Sequence, residues 1–167
     1  MLDGLIGVLL VVLALAVLFD YINGFHDTAN AIATSVSTRA LRPSWAIAMS
    51  AAANFLGALT GTEVAKTVGS GLIDKSAESQ VVVAAALIGA ITWNLITWRV
   101  GIPSSSSHAL IGGLLGAAAT AAGVASWNLV GVVNKVLLPL IGSPILGRVL
   151  GFTLMALILN LFRRAHP

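Results

Sequence analysis

No cysteine occurs anywhere in the 167 residues, which excludes disulfides and thiolate-held metals and leaves the redox compartment unmarked. Charge is the next scarcity. Asp, Glu, Lys and Arg together make up 9% of the chain, where soluble domains carry roughly 25%. Acids number six and Lys plus Arg nine, for a net charge of +3, yet no basic face exists to grip nucleic acid. The cations stand at the ends of apolar runs, where they act as topology signals. Extended polar stretches are missing too: residues 43–62 and 79–98 hold no charge, and 100–134 hold only His108 as a titratable group.

What is present is hydrophobic: 57% of residues, with a mean hydropathy of +0.97. A spanning helix needs about 20 apolar residues. The pattern therefore predicts an all-α polytopic membrane protein, one membrane domain over 1–167, with about four crossings and one shorter re-entrant piece. The first apolar run, 5–19, lacks the basic flank of a signal peptide, since Asp3 is the only early charge, so it reads as an uncleaved helix.

The expected elements follow from breakers and runs. A first helix over 4–22 is interrupted at Asn23-Gly24 and resumes over 25–38. Pro43 starts a second helix to about residue 61, containing Gly57-x-x-x-Gly61 for close helix approach. Residues 63–78 form a polar connection, and 80–99 a third helix with Trp93 and Trp98 as interfacial anchors. After a break at 101–108, residues 109–123 are too short to span and suit a re-entrant half-helix aided by Gly112-x-x-x-Gly116. A surface-lying segment over 126–135 precedes a last helix over 136–162, kinked around Gly142-Ser143-Pro144. The positive-inside rule places the Arg39/Arg42 loop and Arg99 inside and the N-terminus outside; Arg163-Arg164 conflict with that order.

Two polar constellations interrupt the hydrocarbon-like sequence. Asn23, Asp27, Asn30, Thr34 and Ser37, spaced 4, 3, 4 and 3, form one helix face. A carboxylate and an amide three apart offer oxygens to one small cation, helped by carbonyls freed where the helix unwinds at Asn23-Gly24. The plainer reading pairs Asp27 with a neighbour such as Arg39. Asp20 lies nearer the end of the apolar run and reads as interfacial. His26 and His108 lack the spacing of a zinc site, so no metal site is expected and His26 reads as a histidine satisfied by hydrogen bonds.

The second constellation is Pro103-Ser104-Ser105-Ser106-Ser107-His108, four hydroxyls directly before a helix start. Serine caps helices well, and the free N–H groups there favour an anion. With only Arg99 nearby, a bound dianion needs co-bound cations. The plainer reading, a serine-rich surface loop, fits poorly between two membrane-like flanks. A Ser107/His108 nucleophile fails because adjacent helical residues do not face each other, so the chain reads as no enzyme.

Asn23-Gly24-Phe25-His26-Asp27-Thr28-Ala29-Asn30-Ala31 resembles the Gly-x-x-Asp-x-Ala-Asn-Ala signature of the inorganic phosphate transporter (PiT) family, its bacterial low-affinity branch in particular. Gly101-Ile102-Pro103-Ser104-Ser105-Ser106-Ser107-His108, preceded by Trp93-Asn94-Leu95, resembles the family's second element. The resemblance implies a secondary-active symporter of two inverted repeats in the cytoplasmic membrane. It assigns phosphate to Asp27, Ser105, Ser106 and Ser107, and the coupling cation, H+ or Na+, to Asp27, Asn30, Asn23 and Thr34. His26, His108, Ser104 and Asn94 would support them. It implies no cofactor, though some bacterial members carry phosphate complexed with a divalent metal. Family members hold a second Gly-x-x-Asp-x-Ala-Asn copy that this chain lacks, so the expectation is an N-terminal repeat completed by a C-terminal repeat or a second subunit. The alternative is a half-transporter that binds phosphate and cation only when assembled.

Overall fold

The computed structural model describes residues 2–60 and 71–163. Apart from one isolated bridge, Ile73 with Trp127, the described residues are helices, turns and loops. They fall into two compact units, Met1–Asn128 and Leu129–Pro167.

In the first unit, α1 spans Leu2–Ser37 as one uninterrupted helix of 36 residues. The break expected at Asn23-Gly24 is absent. A helix-interior glycine costs only about 1 kcal/mol relative to alanine, whereas backbone groups unpaired in hydrocarbon cost several kcal/mol each. The Thr28 hydroxyl donates to the Gly24 carbonyl, adding a bond where the break was expected. At about 1.5 Å per residue α1 is about 54 Å long, more than an upright crossing requires. Arg39, with φ of 58°, turns the chain in the left-handed region. Pro43 then opens α2, Pro43–Thr60.

The rest of this unit is a helical hairpin. Its first arm, α3, covers Gln80–Val100. The Ser79 side chain caps it by accepting from the Val82 N–H, and Gly101 ends it at φ 74°. The second arm, α4, covers Ser106–Ala122 and is capped by Ser105, which accepts from the His108 N–H. The arms touch backbone to backbone: a Cβ on Gly113 would stand 2.5 Å from the Ala86 carbonyl oxygen. Gly112 and Gly116, the pair that sequence spacing favours, would meet nothing within 4 Å. At the open end the Asp74 N–H donates to Ser126 O and the Asn128 N–H to Leu72 O. Trp127 Nε1 donates to Leu115 O at 2.9 Å.

Helix α1 runs alongside α3 in the same direction. Phe19 and Ile22 are buried against Leu87, Ala90 and Ile91, with Ala109 and Leu110 of α4 packed on the same cluster. An aromatic run continues the contact, Tyr21 to Phe25 at 5.9 Å and Phe25 to Trp98 at 5.4 Å between centroids, both edge-on. His26 meets Thr97; beyond that level α1 continues for 11 residues and α3 for 3. Eight residues of difference amount to about 12 Å. The tip of the hairpin therefore stops short of the end of α1.

The second unit is a run of helix, α5, over Leu129–Leu161, with a π turn at Val133–Leu137. The surface-lying segment expected at 126–135 thus joins the helix from Leu129 onward. Pro139 has no N–H for the carbonyl of Lys135 and its ring crowds that carbonyl, and the widened turn lies just there. Pro144 is accommodated inside the helix.

Among the described residues, three helices are long and apolar enough to cross a membrane: Ile6–Ser37, Gln80–Val100 and Leu129–Leu161. The fourth expected crossing, α2, has 18 residues and exposes Trp45, Ile47, Phe55, Leu56 and Leu59. Gly61, residues 63–70 of the polar connection and Arg164 lie outside the described residues.

Candidate functional site

The tip of the hairpin meets α1 at Asp27. Ser106, at the start of α4 and only 1% exposed, donates from Oγ to Asp27 Oδ2 at 3.0 Å. The other carboxylate oxygen, Oδ1, lies 2.9 Å from His26 Nδ1. A carboxylate only accepts, so Nδ1 carries the proton. His26 is buried between α1 and α3, and its Nε2 lies 3.3 Å from Thr97 Oγ1. Thr97 Oγ1 in turn is 3.0 Å from Ser104 Oγ. The Thr97 hydroxyl has one proton and four acceptors in reach: His26 Nε2, Trp93 O, Asn94 O and Ser104 Oγ. These bonds run from the tip through α3 to α1 and back to the tip.

The position of Asp27 is electrostatically apt. The first turn of a helix carries a partial positive charge from its free N–H groups, and the anion lying at the α4 N-terminus is the Asp27 carboxylate. Its partners are Ser106 and His26, not Arg39.

Three cavities surround this junction. One of about 550 Å³ separates α1 from α2 and is lined by Asp20, Asn23, Asp27 and Thr28 on one side and Ser50 and Asn54 on the other. The Asp27 side chain is 40% exposed, opening into it. A second, of about 480 Å³, lies against the hairpin between Trp93, Ser104, Ser105 and His108. The third and largest, about 730 Å³, is mostly apolar; Asp20, Asn23 and Ser107 reach it.

The residues singled out from sequence are thus distributed unevenly. Asp27, Ser106, Ser104 and His26 come together, and His26 has partners at both nitrogens. Ser105 caps α4 and Ser107 faces another cavity. Asn23 is half-buried at the Asp27 cavity. Asn30 and Thr34 continue the stripe along α1 as exposed residues. Asn94 is fully buried with neither amide atom hydrogen-bonded. The freed carbonyls expected at Asn23-Gly24 are absent because the helix continues.

Three contributors escaped the sequence reading: Thr97, Ser50 and Asn54. Each leaves a trace in the spacing, since Asn94-x-x-Thr97 and Ser50-x-x-x-Asn54 put polar groups on one helix face.

Comparison with known proteins identifies the family and the fold. Residues 23–167 match the family described as Phosphate transporter family. A probable low-affinity inorganic phosphate transporter of Streptomyces halstedii is 54% identical over 99% of the chain and 78% of its own length. The probable low-affinity inorganic phosphate transporter of Bacillus subtilis is 53% identical, with 97% of the chain covering 48% of that protein. The low-affinity inorganic phosphate transporter PitA of Escherichia coli is 37% identical, with 33% of its length covered. A solved structure titled "The sodium-dependent phosphate transporter" superposes with a TM-score of 0.86 at 28% identity, over 92% of this chain and 40% of that one. The chain therefore spans about half or less of several of these relatives. It is a multi-pass membrane protein belonging to the phosphate transporter family.

Proposed function

We propose that this chain forms one half of a secondary-active carrier that moves inorganic phosphate with a coupling cation across the cytoplasmic membrane. The observation that carries the reading is the junction of Asp27 with Ser106: a half-exposed carboxylate held at a helix N-terminus and opening into a polar cavity. The hydroxyls and N–H groups of the serine cluster suit the oxygens of a tetrahedral anion. Phosphate near neutral pH keeps a proton and donates it to a carboxylate, whereas sulfate has none to offer. A site that hydrogen-bonds such a group rejects analogues lacking it.

Charge explains the need for a cation. Asp20 and Asp27 face the 550 Å³ cavity, and among the described residues no Lys or Arg lines it. A phosphate dianion entering beside two carboxylates is repelled unless H+, Na+ or a phosphate-bound divalent metal enters with it. Asp27, Asn23 and Asn54 supply oxygens for such an ion, with Asn30 and Thr34 further along the stripe. A complementary half, or a second copy of this chain, completes the site on the exposed face of that stripe.

Phosphate uptake into proteoliposomes, with sodium and proton gradients imposed separately, tests the proposal and identifies the ion. Uptake driven by one gradient supports it. Uptake by neither, from the chain alone and from the chain assembled with a complementary half, contradicts it.

A further inference from the structure

We propose that Thr97, acting through His26, is the positioning residue that fixes the orientation of the Asp27 carboxylate. The inference rests on the transport reading above and adds to it a residue from the first arm of the hairpin.

The geometry is specific. Neighbouring helical residues point about 100° apart, so a hydrogen bond between their side chains is uncommon. His26 and Asp27 nonetheless meet at 2.9 Å, because the imidazole lies in the crevice between α1 and α3 while the carboxylate turns towards the hairpin. Each Asp27 oxygen then has its own partner, Oδ1 with His26 and Oδ2 with Ser106. Two anchors on two oxygens define the plane of the carboxylate, which a single anchor would leave free to rotate.

His26 can do this only if its ring is itself held. The partner at Nε2 is the Thr97 hydroxyl at 3.3 Å, and Thr97 is 3% exposed. Ser104, 3.0 Å away, steadies that hydroxyl from the tip. Movement of the hairpin away from α1 would break the His26–Thr97 and Asp27–Ser106 bonds together, freeing one carboxylate oxygen and loosening the ring that holds the other. The orientation of Asp27 is in this way tied to the place of the hairpin.

The test compares Thr97→Val, which keeps the shape and removes the hydroxyl, with Thr97→Ser, which keeps the hydroxyl. Both are made in the full chain, in the same assembly that gives wild-type uptake. Loss of one hydrogen bond to a buried ring corresponds to a fold-change of about five to ten. Thr97→Val is expected to raise the KM for phosphate by about that factor, with Vmax changed less. Thr97→Ser should restore KM to within about twofold. His26→Ala should show the same rise, and His26→Ala/Thr97→Val no more than either alone, because both act through one chain of contacts.

A wild-type KM in Thr97→Val, a Thr97→Ser as impaired as Thr97→Val, or additive losses in the double variant would each overturn the proposal. If Thr97→Val does not reach the membrane, Thr97→Ser and His26→Ala still decide it. Failure of the wild-type protein to take up phosphate counts against the transport reading, while wild-type uptake with an unmoved Thr97→Val counts against the positioning role alone.

Discussion

Replacing Gly113 by alanine tests the hairpin that carries the site. The new Cβ would lie 2.5 Å from the Ala86 carbonyl oxygen and 3.3 Å from the Ala86 carbonyl carbon and Cα. Ordinary carbon–oxygen contact begins near 3.4 Å, so the arms must separate by about 1 Å at this point. All three atoms belong to the backbone, and none can swing aside as a side chain could. Overpacking of this kind costs about 1–3 kcal/mol, and the contact places Gly113→Ala in the upper half. Against it stands a gain of up to about 1 kcal/mol from replacing a helical glycine by alanine, so the net expectation is a loss of about 2 kcal/mol. Gly112→Ala supplies the control, because its Cβ would meet nothing within 4 Å and only the gain remains. Tryptophan-fluorescence melting of the detergent-solubilised protein should thus move in opposite directions for the two neighbours. Phosphate uptake should fall only in Gly113→Ala, since parting the arms shifts Ser106 relative to Asp27. Equal stability of the two variants would refute the hairpin register.

Two further substitutions probe the helix interiors. Gly24→Ala, at a position where a Cβ would meet nothing within 4 Å, should stabilise α1 by up to about 1 kcal/mol if the helix is continuous; destabilisation in the same melting assay would restore the break that the sequence suggests. Asn94→Ala removes two buried amide atoms that lack partners, and should be neutral to stabilising by about 1 kcal/mol. A loss beyond about 2 kcal/mol would mean that the Asn94 amide is paired in the assembled protein.

Much of this architecture was legible because the signals are local. The first arm, read from sequence over 80–99, runs over Gln80–Val100 between its Ser79 cap and Gly101, since caps act within a turn or two of sequence. The second arm, read as starting at residue 109, starts at Ser106, because Ser105 caps it from inside the serine cluster. The serine cluster and Asp27 stand out because polar groups among hydrocarbon are conspicuous. Asn23-Gly24 misled for a physical reason: a breaker signal calibrated in water is weak where the backbone has no water to turn to. The glycine spacing misled for another. Gly112-x-x-x-Gly116 and Gly113 are equally plain in sequence, and only the register of α3 on α4 selects Gly113, opposite Ala86. Thr97 stayed hidden because its partner His26 is 71 positions away. The Asn94-x-x-Thr97 spacing marks a polar face, but the partner it meets is set by tertiary packing.

The central claim is that the Asp27 carboxylate, held against Ser106, takes part in moving phosphate. Asp27→Asn keeps the shape of the side chain and removes the negative charge of the group that accepts from Ser106. Phosphate uptake into proteoliposomes, measured beside a check of membrane insertion, is expected to fall to background while insertion stays at the wild-type level. Wild-type uptake by the inserted Asp27→Asn protein would contradict the account.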